Sequence, residues 1–303
     1  MNRVWTVDGP LDPRELGLTM VHEHLAIDLS LIKNDPDAVL MDVDAVSREV
    51  SLYQQAGGRT MVEVTNRGMG RDVGKLRAIA RRTGVHLVAA TGYYHGPWLP
   101  PEVYQLDVEG LAEIMEREIL EGIDGTEVRA GIIAEIGTSS GQILPAEEKV
   151  LRAAARAHRR TGAPISTHCS LGTMANEQVD ILETEGVDPI RVAIGHLDLV
   201  DNIEYHAEVA QRGVFVQYDT VGKNRYQPDE VRIRLILEML DRGFAEQLML
   251  SCDITRPSYL KSSGGHGYDY LLTRFIPRLK AAGVDQKSLK VILEENPAKF
   301  LPF

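Results

Sequence analysis

At 303 residues the chain is long enough for an α/β barrel, ordinarily about 250 residues plus loops, and reads as one domain over 1–303. Its formal charge of −11, from Lys+Arg 33 against Asp+Glu 44, opposes the long-range attraction that nucleic acid or an anionic membrane needs, but leaves a small anionic substrate open. No apolar run approaches the ~20 residues of a membrane span, and Met1 to Asp8 lacks the apolar stretch of a secretory signal. A soluble, cytoplasmic monomer or homodimer is expected.

Eight apolar, β-branched runs are predicted as strands, at 17–22, 60–65, 86–91, 129–135, 164–168, 191–196, 213–217 and 247–252. Helical periodicity falls between them over Asp44 to Gln55, Val108 to Glu121, Pro145 to Arg160, Asn176 to Glu185 and Pro228 to Asp241. The 145–160 segment carries both end signals: Pro145, Glu147 and Glu148 at its start, Arg159 and Arg160 at its end before Gly162. Gly84, Gly162, Gly186, Gly213, Gly243 and Gly283 mark helix exits. Strict alternation of strand and helix requires parallel strands, and eight of them close into a (β/α)8 TIM barrel.

Six side chains able to bind metal end these runs: His22 and His24 the first, Glu135 the fourth, His168 the fifth, His196 the sixth and Asp253 the eighth. In such a barrel the C-terminal strand ends carry the chemistry. Any one of these residues alone is better explained as a core histidine or a helix cap, but six at matching ends point to a metal site. His22 and His24 are two apart, so on an extended backbone they face one side and Glu23 the other. Neutral imidazoles suit zinc and similar ions, and a carboxylate that bridges suits two of them, so two divalent metal ions per chain, zinc by the donor chemistry, are expected. Cys169 and Cys252 each adjoin a ligand and are read as reduced, buried and not ligating.

The segments Val21-His22-Glu23-His24-Leu25, Gly131-Ile132-Ile133-Ala134-Glu135-Ile136-Gly137, Pro164-Ile165-Ser166-Thr167-His168, Gly195-His196-Leu197-Asp198 and Ser251-Cys252-Asp253 resemble the phosphotriesterase family of the amidohydrolase superfamily, most of all its bacterial phosphotriesterase homology proteins. Thr65 to Arg71, Thr91 to Tyr94, Gly222 to Glu230 and Gly264 to Tyr270 extend the likeness over nearly the whole chain. The resemblance implies that His22, His24 and Asp253 hold the more buried metal, and His168 and His196 the more exposed one. Glu135 and a solvent hydroxide would bridge the two, and Asp253 would act as the catalytic general acid/base. The phosphotriesterases proper bridge their metals with a carboxylated lysine. Glu135 stands at that position and implies a distinct subgroup, with efficient phosphotriester hydrolysis in question.

The loops at the same barrel end carry Asn66 and Arg67 after strand two, Tyr93 and Tyr94 after strand three, Lys223 after strand seven and Arg256 after strand eight, and these are the predicted substrate contacts. Cationic groups there suit a phosphate or carboxylate on the substrate. The bland alternative is solvated loop charge. His95 and His266 lie on loops of the same face. His86 starts a strand at the wrong end, and His158 and His206 read as surface residues. The sequence therefore predicts a binuclear metal-dependent hydrolase of a small ester or lactone, with phosphorylated sugar lactones among the candidates. Phosphotriester, phosphoester or amide hydrolysis is the alternative chemistry, and a non-catalytic metal-containing binding protein the alternative class.

Overall fold

Eight parallel strands form over the apolar, β-branched runs: β1 Leu18–Glu23, β2 Gly58–Glu63, β3 His86–Thr91, β4 Ile132–Thr138, β5 Ile165–Cys169, β6 Val192–Gly195, β7 Phe215–Tyr218 and β8 Leu248–Leu250. The computed structural model describes residues 2–303. Neighbours in sequence are neighbours in the sheet from β1 to β8, as right-handed βαβ crossovers produce. The strands bend into a nearly closed barrel whose seam, between β8 and β1, is stitched by side chains. Ser251 Oγ accepts the amide hydrogen of His22 at 3.1 Å and donates to Glu23 Oε1 at 2.7 Å.

The connecting helices are α1 Val43–Gln55, α2 Val73–Thr83, α3 Val108–Leu120, α4 Pro145–Thr161, α5 Ala175–Thr184, α6 Ile203–Gln211 and α7 Asp229–Asp241, with a further helical stretch over 271–281. The five predicted helices are present within a residue or so at each end. Their caps follow the expected chemistry: Asp42 accepts from the amides of Asp44 and Ala45 at the start of α1, and Gly162 turns the chain out of α4 at φ 80°. Glu147 does more than complement a helix dipole. It is fully buried, and its carboxylate accepts from the amides of Gly96, Ser139 and Leu144, tying the loops after β3 and β4 to the start of α4.

The barrel interior is filled by Val21, Val62, Val88, Ala90, Ile132, Ala134, Ala193, Phe215 and Met249, and plugged below by Val4, Leu16, Phe300 and Leu301. Register slips between Met20 and Glu23 in β1 and between Ile133 and Ile136 in β4. Consecutive residues that an unbroken strand would point to opposite sides, Val21 with His22 and Ala134 with Glu135, therefore both reach inward. The second core cluster packs the outer strand faces against the helices. No helix among the described residues is long and apolar enough to cross a membrane.

Two histidines expected at the surface are buried. His158 Nδ1 lies 2.7 Å from the Ala163 carbonyl, and His206 packs under Tyr218, whose hydroxyl it meets through Nδ1. Their helices carry enough charge to look solvated, but these positions face the strands. Cys169 and Cys252 are buried and unpaired.

Candidate metal centre

His22, His24, Glu135, His168, His196 and Asp253 converge at the upper end of the barrel, and Glu135 is their hub. Its Oε1 lies 3.2 Å from His22 Nε2, 2.6 Å from His168 Nδ1 and 3.1 Å from His196 Nε2, while Oε2 lies 3.6 Å from His24 Nε2. Asp253 Oδ1 is 3.3 Å from His24 Nε2. All six residues are buried. Donor atoms of His22, His24 and Glu135 form one compact group, and those of Glu135, His168 and His196 another.

The donor set fits metal. His22 Nε2 and Glu135 Oε2 are buried without a hydrogen-bond partner, although each lies near an opposing donor atom. Crowded nitrogen and carboxylate atoms that do not bond one another are what a cation placed between them would satisfy. Burial, with His196 nearby, pushes the His168 imidazole down to about 3. Against the same burial, Asp219 and Glu135 raise His22 to about 9, and Asp219 raises His196 well above the usual range. A cation would relieve this crowding of acid and imidazole. Burial works against the charge of Glu135 and Asp253. Even so, His168 and His22 around the one, and Lys223 beside the other, hold both carboxyls well below their usual range.

Several residues that position these groups escaped the sequence reading. Asp219 Oδ1 accepts from both the amide and Nδ1 of His196, at 3.0 and 2.7 Å, and its Oδ2 lies 3.2 Å from His22 Nδ1. His22 Nδ1 also meets Gln217 Oε1 at 3.3 Å, and His24 Nδ1 meets Thr65 Oγ1 at 2.8 Å, with Thr65 donating onward to Glu63 at 2.6 Å. Occupying Nδ1 of these three rings aims Nε2 into the site. Asp219 needs room: a Cβ on Gly195 would fall 2.4 Å from the Thr167 carbonyl oxygen and 3.1 Å from Asp219 Oδ2. The available signal was an acidic residue just past β7, the position that the candidate ligands occupy on their own strands.

Above the centre opens a cavity of ≈ 470 Å³. Tyr94, Lys223 and Arg256 line it, together with Lys33, His95, Trp98 and Tyr259. Tyr94 Oη is 3.4 Å from His168 Nε2, and Lys223 is ion-paired to Asp253. Asn66, Arg67 and Tyr93, also expected at the substrate, do not line this cavity. Asn66 donates to the carbonyls of Ala134 and Glu135 at 3.0 Å each, bracing β4 from behind the centre. Arg67 turns outward to Glu102 at 2.8 Å and Glu118 at 2.7 Å, and Tyr93 is buried with its hydroxyl 3.4 Å from Glu102. A loop position at the productive face does not decide whether a side chain points over the barrel or away from it. His95 does reach the cavity, its ring stacked 4.8 Å from that of His168, whereas His266 packs between Tyr259 and Tyr270.

Residues 2–301 match the phosphotriesterase family. The phosphotriesterase homology protein of Escherichia coli is 50% identical over 284 residues, covering 94% of this chain and 97% of that protein. Its crystal structure, with phosphate in the active site, superposes with a TM-score of 0.93 at 49% identity over 95% of this chain and 99% of that one. Human N-acetyltaurine hydrolase is 31% identical, covering 99% and 98% of the two chains. A lactonase from Listeria monocytogenes superposes with a TM-score of 0.94 at 31% identity, over 99% and 98%.

Proposed function

Because the chain belongs to the phosphotriesterase family, whose members are metal-dependent hydrolases, we propose that it is a binuclear hydrolase of a small ester or lactone carrying an anionic group. The observation that carries this reading is the convergence of four imidazoles on one carboxylate, Glu135, with a second carboxylate, Asp253, at the cavity floor. His22, His24 and Asp253 would hold one divalent ion, His168 and His196 the other, with Glu135 between them, and zinc suits that donor set. Two such ions would lower the pKa of water to near neutrality and polarise the bond to be cleaved.

The protein groups do the rest. Asp253, ion-paired to Lys223, would accept a proton at its carboxylate and pass it to the leaving group. Tyr94 offers a hydroxyl at the rim of His168. Lys223 and Arg256 put positive charge on the cavity wall, which favours a phosphate, sulfonate or carboxylate on the substrate. The phosphate in the active site of the E. coli relative supports an anionic group, and the lactonase relative supports an ester bond.

A second reading is amide hydrolysis, favoured by the likeness of this chain over nearly its full length to the N-acetyltaurine hydrolases. One experiment separates the readings. Metal-loaded protein is assayed against lactones, sugar lactone phosphates, phosphotriesters and N-acyl amides, with and without chelator. Chelator-sensitive turnover of the lactones supports the ester reading, and turnover of amides alone replaces it with the second. Turnover of none counts against both readings and favours a metal-containing binding protein.

A further inference from the structure

Three cationic side chains face the cavity, and their partners differ. Lys223 is ion-paired to Asp253. Arg256 Nη1 lies 3.0 Å from Asp35 and 3.5 Å from Asp37, which offset its charge, while its buried Nε has no partner. Lys33 ends the one-turn helix Ser30–Lys33, and among the described residues no carboxylate stands within salt-bridge distance of it. Its Nζ lies 5.8 Å from the ring centroid of Trp98, on the cavity wall. A cation over an aromatic face is favourable, but the ring leaves the ammonium donors unmatched by any protein acceptor.

The segment that carries Lys33 is held in place. Asp28 Oδ1 accepts from the amide and hydroxyl of Ser30 at 2.9 and 2.6 Å, Asn34 turns the chain at φ 48°, and the Ser258 amide donates to Asp37 at 3.0 Å. With the Arg256 pair, these contacts tie the loop after β1 to the loop after β8. An anion entering the cavity meets Lys33 without breaking an existing ion pair. At Arg256 it meets a cation whose charge Asp35 and Asp37 already offset through Nη1.

We propose that Lys33 is a specificity-determining residue, the group that receives the carboxylate, sulfonate or phosphate end of a small substrate whose scissile bond lies at the metal centre. The placement of the scissile bond rests on the hydrolase reading; the selection of an anion does not. The chain has two tryptophans, Trp5 and Trp98, so a Trp5→Phe background isolates the emission of the ring beneath Lys33. Metal-loaded Trp5→Phe protein is titrated with ethanesulfonate, a weak metal ligand, and with its neutral counterpart ethyl methyl sulfone. Saturable binding of the sulfonate is expected, weakened about tenfold by Lys33→Met and recovered by Lys33→Arg, with the sulfone unaffected by either change. Equal sulfonate affinity in Lys33→Met and its parent, or no saturable binding in the parent, overturns the proposal. Sulfonate binding that depends on Lys33 in a protein that hydrolyses nothing keeps the proposal and removes the hydrolase reading. Turnover with no Lys33 dependence does the reverse.

Discussion

Glu23, the residue between the two histidines of β1, accepts the amide hydrogen of Asp253 at 3.2 Å across the barrel seam. The same carboxylate takes the Ser251 hydroxyl at 2.7 Å and the amides of Cys252 and Ile254 at 2.6 and 2.9 Å. Asp253 sits at φ 52°, a left-handed conformation that costs a non-glycine residue free energy unless its surroundings over-determine it. Four donors converging on Glu23 supply that constraint. Replacing Glu23 by Gln sets an N–H against one of them, so the unfolding free energy should fall by about 1–3 kcal/mol, with kcat falling more than KM changes. Urea denaturation and steady-state kinetics check this. A Glu23→Gln protein equal to its parent in both would show that Asp253 holds its conformation unaided.

Asp219 holds His196 by backbone and ring together. An Asp219→Asn variant keeps the shape but loses the charge that fixes the ring's proton on Nδ1. Metal affinity should fall roughly ten- to a hundredfold with the fold retained, as read by competition with a chromophoric chelator. Unchanged affinity would make Asp219 a purely structural acceptor.

His206 is buried against Tyr218, and burial pushes it down to about 4. Between that value and its unfolded value of about 6.5, the unfolded chain binds the proton that the folded chain refuses, so stability falls as pH drops through this window. The penalty tends towards about 3 kcal/mol at the acid end. A His206→Gln variant should show a flatter decline in melting temperature from pH 6.5 to 4, a range set by the folded and unfolded values. A decline as steep as the parent's would place the acid sensitivity elsewhere.

Arg256 joins the loop after β8 to the loop after β1 through Asp35 and Asp37. Arg256→Met should speed proteolytic cleavage within 29–40 while leaving the melting temperature of the barrel within a degree or two, since the pair is half-exposed and surface pairs contribute little, about 0–1 kcal/mol. Cleavage at the parent rate would mean that the Ser258–Asp37 hydrogen bonds and the packing of Leu29 and Leu40 hold the loop without the ion pair.

The strands were legible because buried parallel strands are written as unbroken apolar runs, and the longer helices because their apolar stripes repeat at helical spacing. α2 and α6 were not singled out. In α2, Lys75, Arg77, Arg81 and Arg82 interrupt an apolar face made only of Val73, Leu76, Ile79 and Ala80, and α6 is short. The six candidate ligands stood out because each ends a run. The slips in β1 and β4 that let Val21 and Glu135 both turn inward leave no periodicity to read, since they depend on pairing with a neighbouring strand. Loop side chains were the least legible. Arg67 and Lys223 both follow strand ends, but one is drawn out by Glu102 and Glu118 and the other in by Asp253, all distant in sequence.

Glu135 as the bridge between two ions is tested most directly by metal content per chain. Wild-type protein and Glu135→Ala are reconstituted with excess zinc, with and without bicarbonate, freed of unbound metal and measured by elemental analysis. The wild type should hold two equivalents regardless of bicarbonate, because its bridging carboxylate is encoded, and the variant should hold one or none. One equivalent in the wild type, or a second that requires bicarbonate, would contradict the account.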